Sequence, residues 1–396
     1  MIGKRRCAIR LCAAVLIAAV TGLIGALPAL AGIKSPYGGD LSAYRITDTD
    51  AGLFDAAARM EFLHKSDDKM LRAERQRLET AISCRAAKSL PVINKVTALP
   101  PFYEDNKAWR LAAQPFFDFE EAVTKLAAAF VASGDPYFAG CLTDMLQIWA
   151  KGGAFLKVDY TWERRQIWYA IESSLFAAAQ SYALIRPFMR QPSAGEQRRR
   201  QLAQIESWLN RASRVHVSVD GGSQACCNNH FYRRALHATM IGILTGDDEL
   251  FQFGISAPLF AVSEMNADGS LPHEMARGSR AAHYQNYAVL YLVQIAELAE
   301  RQGYRLYDVK INGHTLGDAI GFALDLYDDP ARAGAYSDEP QNVWYQNDRQ
   351  YFAWMEVYLS RFDDPRMEAI AARYRPIFNR SAIGAATLYF FRPALK

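Results

Sequence analysis

The chain has 396 residues, 51% of them hydrophobic and 22% charged. That composition is globular, and excludes a disordered or fibrous chain. Its 45 Lys and Arg stand against 42 Asp and Glu for a net +3, but four of the basic residues lie in the first 31, leaving 41 against 42, or −1. A near-neutral chain argues against nucleic acid or an anionic membrane as partner, and leaves any anionic ligand to a local basic cleft.

Residues 1–31 read as a secretory signal peptide. Lys4, Arg5, Arg6 and Arg10 make a basic start, an apolar run follows from Leu11 to Leu27, and Ala29-Leu30-Ala31 forms a small-residue cleavage site. An uncleaved anchor is the alternative, and Pro28 speaks against it. Residues 32–396 then make a single domain, periplasmic or secreted, with no later run long and apolar enough to span a bilayer. Four cysteines remain: Cys84, Cys141, Cys226 and Cys227. In an exported protein an even number suggests disulfides. Cys84–Cys141 with a vicinal Cys226–Cys227 is the economical pairing, and the other two connectivities stay open. Cys226-Cys227-x-x-His230 gives poor spacing for a tetrahedral metal, so no metal or other cofactor is expected.

Between Cys84 and Gln114 the helical period is lost. Pro91, Pro100, Pro101, Phe102, Tyr103, Glu104, Asp105 and Asn106 fall in this stretch. A segment this long reads either as an active-site lid, over about 85–114, or as a surface loop pinned by Cys84. Beyond it the pattern is helical almost throughout. Glu196 to Leu209 puts Leu202, Ile205, Trp208 and Leu209 on one face, as an outer helix does. Asn286 to Leu298 is apolar nearly all round, as a helix buried on both sides is. Turn signals at Ser133-Gly134-Asp135-Pro136, Lys151-Gly152-Gly153, Asp220-Gly221-Gly222, Gly246-Asp247-Asp248 and Asp268-Gly269 separate the helices. About ten or more helices joined by short loops predict an all-α toroid or barrel of helical hairpins, inner helices backed by outer ones. No fixed-period repeat suggests a solenoid.

Two strings carry chemistry: Cys226-Cys227-Asn228-Asn229-His230, and Arg277-Gly278-Ser279-Arg280-Ala281-Ala282-His283-Tyr284. A uronic acid polymer is cut without water when a base takes the C5 proton beside the carboxyl group and the C4–O bond leaves. Neutralising the carboxylate stabilises the enolate-like charge of that transition state. Asn229, His230 and Arg277 are the candidate neutralisers, since an amide, an imidazole and a guanidinium all donate hydrogen bonds. Tyr284 is the candidate proton handler. A free phenol has a pKa of about 10, so Arg277 and Arg280 are expected to lower it. If the segment is helical, Arg277, Arg280 and Tyr284 share one face, although Gly278 weakens the helix at its start. Trp149, Arg165 and Trp168 are candidate sugar contacts. Ordinary readings stand beside these: a cap neighbour for His230, a solvated face for the arginines, core packing for Tyr284 and the tryptophans. Asp268 and Glu274, with His273, are the candidate acid and base of a hydrolase.

At these residues the sequence resembles polysaccharide lyase family 5, the alginate (poly-mannuronate) lyases. The matching strings are Cys226-Cys227-Asn228-Asn229-His230-x-Tyr232, Gly246 through Phe251, Asp268-Gly269-Ser270 leading to His273-Glu274-Met275-x-Arg277, and His283 through Ala288. Cys141-Leu142 through Lys151, and Trp354-x-Glu356 with Arg361, also look like the family. The resemblance covers most of the chain from about residue 55. It implies an incomplete α/α toroid with a lid loop over a tunnel-like cleft, and no metal; an acidic polysaccharide is the expected substrate, and a monomer the expected state. It puts Asn229, His230 and Arg277 at the carboxylate and Tyr284 at the scissile bond; Tyr103, Lys107, Arg280 and Tyr287 are further candidate substrate contacts. In β-mannuronate the C5 proton and C4 leaving group are syn, and one tyrosine serves as base and then acid. For an anti epimer, His230 would be the base. Two departures stand out. The family's lid often has a basic residue before a tyrosine, where this chain has Phe102 before Tyr103. The family often has Trp two places after Asn-Asn-His-x, where Tyr232 is here followed by Arg233. Both touch subsite chemistry and leave open another polyuronate, such as a glucuronate polymer. Two rivals remain: a toroidal glycoside hydrolase using Asp268 and Glu274, and a polysaccharide-binding protein without catalysis.

Overall fold

Several helices in this chain begin where a short polar side chain takes a free amide of the first turn. The computed structural model describes residues 33–95, 98–158, 161–191, 195–218 and 226–393. The expected signal peptide and the Asp220-Gly221-Gly222 turn lie outside the described residues. Asp55, Asp68 and Ser83 each accept from the backbone N–H three residues on, starting α1 (Ala56–Lys65), α2 (Lys69–Glu79) and α3 (Cys84–Lys88). Asp105 does the same for α4 (Asn106–Ser133). Gly134 then turns the chain at φ 73°, Asp135 caps, and Pro136 opens α5 (Pro136–Lys151) where its missing N–H costs nothing. Next come α6 (Arg165–Met189), α7 (Glu196–Val217) and α8 (Asn229–Thr245). Gly246 and the Asp247 cap lead into α9 (Asp248–Ser263). The remainder comprises α10 (Pro272–Met275), α11 (Ala281–Arg301), α12 (Leu316–Asp328), α13 (Ala353–Leu359), α14 (Pro365–Tyr374) and α15 (Ala386–Phe390).

Packing sorts these helices into two layers. An inner series runs α4 on α6, α6 on α8, α8 on α11 and α11 on α13. Outer helices back it: α5 on α4, α7 on α6 and α8, α9 on α8, α12 on α11. This is an incomplete α/α toroid. The layers carry the sequence patterns expected of them. In α7 the buried residues include Leu202, Ile205, Trp208, Leu209 and Ala212, a single stripe. In α8 every residue from Phe231 to Leu244 is buried, and α11 is buried from Ala281 to Ala299 except at Tyr287. Among the described residues no β-strand forms, only the bridges Ile311–His314 and Asn379–Gly384. None of the described helices is long and apolar enough to cross a membrane.

The segment before α4 is shorter than the sequence suggests. Asp105 accepts from Ala108 N–H at 2.9 Å, so the helix starts at Asn106 and the irregular stretch ends there, not at Gln114. Pro115 sits inside α4 and does not end it. The stretch is held at its start and near its middle. Cys84–Cys141 ties α3 to α5, and Phe155 N–H donates to Ile93 C=O at 3.1 Å. At its tip Phe102 lies edge-on to Trp109 of α4, with centroids 4.9 Å apart. The disulfide closes a loop with a sequence separation of 57. Replacing both cysteines by serine is expected to lower unfolding stability by about 4 kcal/mol, as chain entropy returns to the unfolded state. Urea titration of the double variant reads this directly.

Candidate active site

Four helix starts, those of α4, α6, α8 and α11, and the irregular segment converge on a cavity of about 260 Å³. Its wall holds five arginines (110, 233, 277, 280 and 380) against two carboxylates, Glu120 and Asp348. This is the local basic cleft that a near-neutral chain needs for an anionic ligand.

The first turn of α8 supplies Asn229 and His230. Asn228 caps it, accepting from His230 N–H at 3.0 Å, and the Cys226–Cys227 disulfide precedes it. Asn229 is fully buried. Its backbone N–H and Nδ2 both donate to Glu274 of α10, at 2.5 and 3.0 Å. One amide hydrogen remains for a ligand. His230 lies flat on Tyr169 of α6, with ring centroids 3.6 Å apart and planes 11° apart. Arg233 donates to its Nδ1 at 2.8 Å. Burial, with Arg233 and Arg277 beside it, holds the imidazole well below its usual pKa and therefore neutral.

Glu274 is fully buried, and burial pushes its carboxyl up to about 7 against the opposing pull of Asn229 and Arg277. As a carboxylate it accepts both Asn229 donors; as an acid it cannot. Activity is therefore expected to rise as pH climbs through about 7. Glu274→Gln leaves one Asn229 donor facing another donor, and should lose that limb and about tenfold in kcat/KM. A pH profile of both proteins checks this.

The other wall is built on Arg277 and α11. Gly278 turns the backbone at φ 59°, and a Cβ there would meet Glu339 Oε1 at 2.7 Å. Residues 278–280 are a 3-10 turn and α11 begins at Ala281, so Arg277, Arg280 and Tyr284 do not share one α-helical face as the spacing suggested. They meet through the cavity instead. The Arg277 guanidinium stacks 4.1 Å from the Tyr284 ring centroid, and that of Arg280 lies 4.0 Å from the ring centroid of Tyr103. The Tyr103 and Tyr284 hydroxyls are hydrogen-bonded across the opening. The expectation that the arginines lower Tyr284 is corrected. Burial and then Tyr103 raise its pKa, Arg277 only partly offsets them, and the resting phenol is neutral.

Of the sequence candidates, Asn229, His230, Arg277, Tyr284, Tyr103, Arg280 and Tyr287 line the cavity; Lys107, Trp149, Arg165 and Trp168 do not. Trp149 is core, stacked 3.9 Å from Phe119. Trp168 is buried as well and does not line the cavity. Lys107 is exposed on α4, and Arg110, one turn on, faces the cavity in its place. Arg165 acts at a distance, as one of the positive charges felt by His230. The hydrolase pair does not form. Both Glu274 oxygens face Asn229, and Asp268 accepts from Ser270 N–H and Tyr336 Oη, each at 3.0 Å, away from the cavity. Trp354 and Glu356 are structural: the indole donates to Asn286 at 3.0 Å and the carboxylate pairs with Arg375 at 2.9 Å. Tyr169, Arg233, Glu120, Tyr351 and Arg380 line the site without having been singled out as its members. Arg233 alone carried a local signal, three residues after His230 on one helix face.

Residues 57–333 match the family model described as alginate lyase. A polysaccharide lyase of Stenotrophomonas maltophilia (strain K279a) is 30% identical over 265 residues, 67% of this chain and 75% of its own length. The crystal structure of alginate lyase A1-III from Sphingomonas species A1 aligns with a TM-score of 0.78 at 32% identity, over 91% of this chain and 100% of that one. A histidine-to-alanine form of A1-III complexed with tetrasaccharide aligns with a TM-score of 0.77 at 32% identity, over 90% and 100%.

Proposed function

The chain belongs to the alginate lyase family, and from that premise we propose that it cleaves mannuronate-rich alginate by β-elimination, as an exported, periplasmic or secreted enzyme acting as a monomer. One observation carries the reading: amide, imidazole and guanidinium donors and a phenol line the same cavity, opposite a tyrosine from the segment before α4. The tetrasaccharide bound by a form of A1-III supports a saccharide in this cleft.

The uronate carboxylate is held by Asn229, by the free ring nitrogen of His230 and by Arg277, with Arg280 and Tyr287 extending the contact. Those donors take up the charge that builds on the carboxyl group as C5 is deprotonated. Tyr284, once ionised, removes the C5 proton. The electron pair becomes the C4=C5 double bond and the C4–O bond breaks. The same phenol then returns its proton to the departing oxygen, which restores the phenolate. Tyr103 hydrogen-bonds the reacting hydroxyl, and the segment around it excludes water.

Ultraviolet absorbance on alginate tests the reaction class. Elimination leaves a conjugated unsaturated end and absorbance grows with time. New reducing ends without absorbance would mean hydrolysis, and intact bound polymer would mean a binding protein.

A further inference from the structure

Arg233 follows His230 by one turn and closes the back of the imidazole. Its guanidinium nitrogen lies 2.8 Å from His230 Nδ1. A guanidinium has donors only, so Nδ1 must be the acceptor. A neutral imidazole has one lone pair and one N–H, and with the Nδ1 lone pair engaged the proton sits on Nε2. Neither partner has room to rearrange. Arg233 is 7% exposed, its Nε lies 3.5 Å from Glu172 Oε2, and its guanidinium stands 5.3 Å from the Tyr169 ring centroid and 6.0 Å from that of Tyr291. The imidazole is stacked on the same Tyr169. Glu172 is also held by Arg234 at 3.2 Å, which fixes the anchor of the anchor.

We propose that Arg233 is a specificity-determining positioning residue: it locks His230 in the Nε2–H tautomer and so restricts the enzyme to syn elimination. The proposal rests on the lyase reading above. In this tautomer the Nε2–H donates a hydrogen bond to the uronate carboxylate, and Nε2 has no lone pair with which to take a proton. For His230 to serve as base, its own proton would move to Nδ1 and face the N–H of Arg233, donor against donor. A C5 proton on the face away from Tyr284, as in guluronate, then finds no base. Mannuronate, whose proton and leaving group are on the Tyr284 side, is the epimer that reacts.

Nitrogen NMR of protein labelled at histidine reads the tautomer directly, with the His230 signals assigned by comparison with His230→Gln. Wild type is expected to show an unprotonated Nδ1 and a protonated Nε2 between roughly pH 6 and 8. Arg233→Met removes the donor. Its kcat/KM ratio for poly-guluronate over poly-mannuronate is expected to rise by about tenfold or more, a small share of what a positioned base contributes. Arg233→Lys retains a donor and should keep the wild-type ratio. A proton on Nδ1 in the wild type, or an unchanged ratio in folded Arg233→Met, overturns the proposal. The wild-type spectrum decides even if the methionine variant fails to fold. A wild type that eliminates on neither polymer refutes the lyase reading, whereas an unlocked ring in an active lyase refutes this inference alone.

Discussion

Tyr284→Phe is expected to lower kcat on poly-mannuronate by about 10³-fold or more while changing KM by less than about threefold. The substitution removes one oxygen from a buried ring that keeps its stacking under Arg277. Carboxylate contacts are untouched, so binding survives and only proton transfer is lost. The pH dependence has a definite sign. Burial raises Tyr284 above an ordinary phenol, with Tyr103 adding to the effect and Arg277 opposing it. The ionised form is the base, so kcat should keep rising on the alkaline side. Arg277→Gln removes the opposing charge and should push that rise to still higher pH. Steady-state kinetics with Tyr284→Phe measure the main effect, and retained turnover removes Tyr284 from the mechanism.

His230→Ala should reduce kcat by about 10²- to 10³-fold, the usual effect of deleting one preorganised donor to a developing anion. The loss should be larger in kcat than in binding, because the carboxyl group carries more charge in the transition state than in the bound substrate. His230→Gln is expected to recover part of the rate, since an amide N–H can stand where the Nε2–H does. Because the imidazole is held neutral, no fall in activity on the acid side should be assigned to it near pH 6.5. The acid-side limb belongs to Glu274 and should persist in His230→Gln. Recovery of the rate by glutamine would also exclude His230 as the base.

Much of the fold is legible in local patterns. The stripe of Leu202, Ile205 and Trp208 marks an outer helix, the pattern after Asn286, apolar nearly all round, marks an inner one, and Gly134-Asp135-Pro136 specifies a stop, a cap and a start in three residues. The residues at the centre of the site are legible too, because Asn229 and His230, and Arg277 and Tyr284, are close neighbours in sequence. What fails is everything decided by tertiary packing. An indole on a helix looks the same in sequence whether it meets a sugar or Phe119, and Trp149 meets Phe119. Lys107 and Arg110 are both cations on the first turns of α4, and only the orientation of the helix turns Arg110 inward. Burial reverses the expected shift of Tyr284, because nearby arginines were visible in sequence and the loss of solvent was not. Arg380, Tyr351 and Tyr169 reach the cavity from helices and loops far apart in the chain, and no spacing rule connects them to His230.

The most direct measurement is the growth of ultraviolet absorbance on separate solutions of poly-mannuronate, poly-guluronate, poly-glucuronate and hyaluronan. Absorbance that grows on poly-mannuronate and stays flat on poly-guluronate is the predicted result. Growth mainly on a glucuronate polymer, or shortened chains with no absorbance on any of the four, would contradict it.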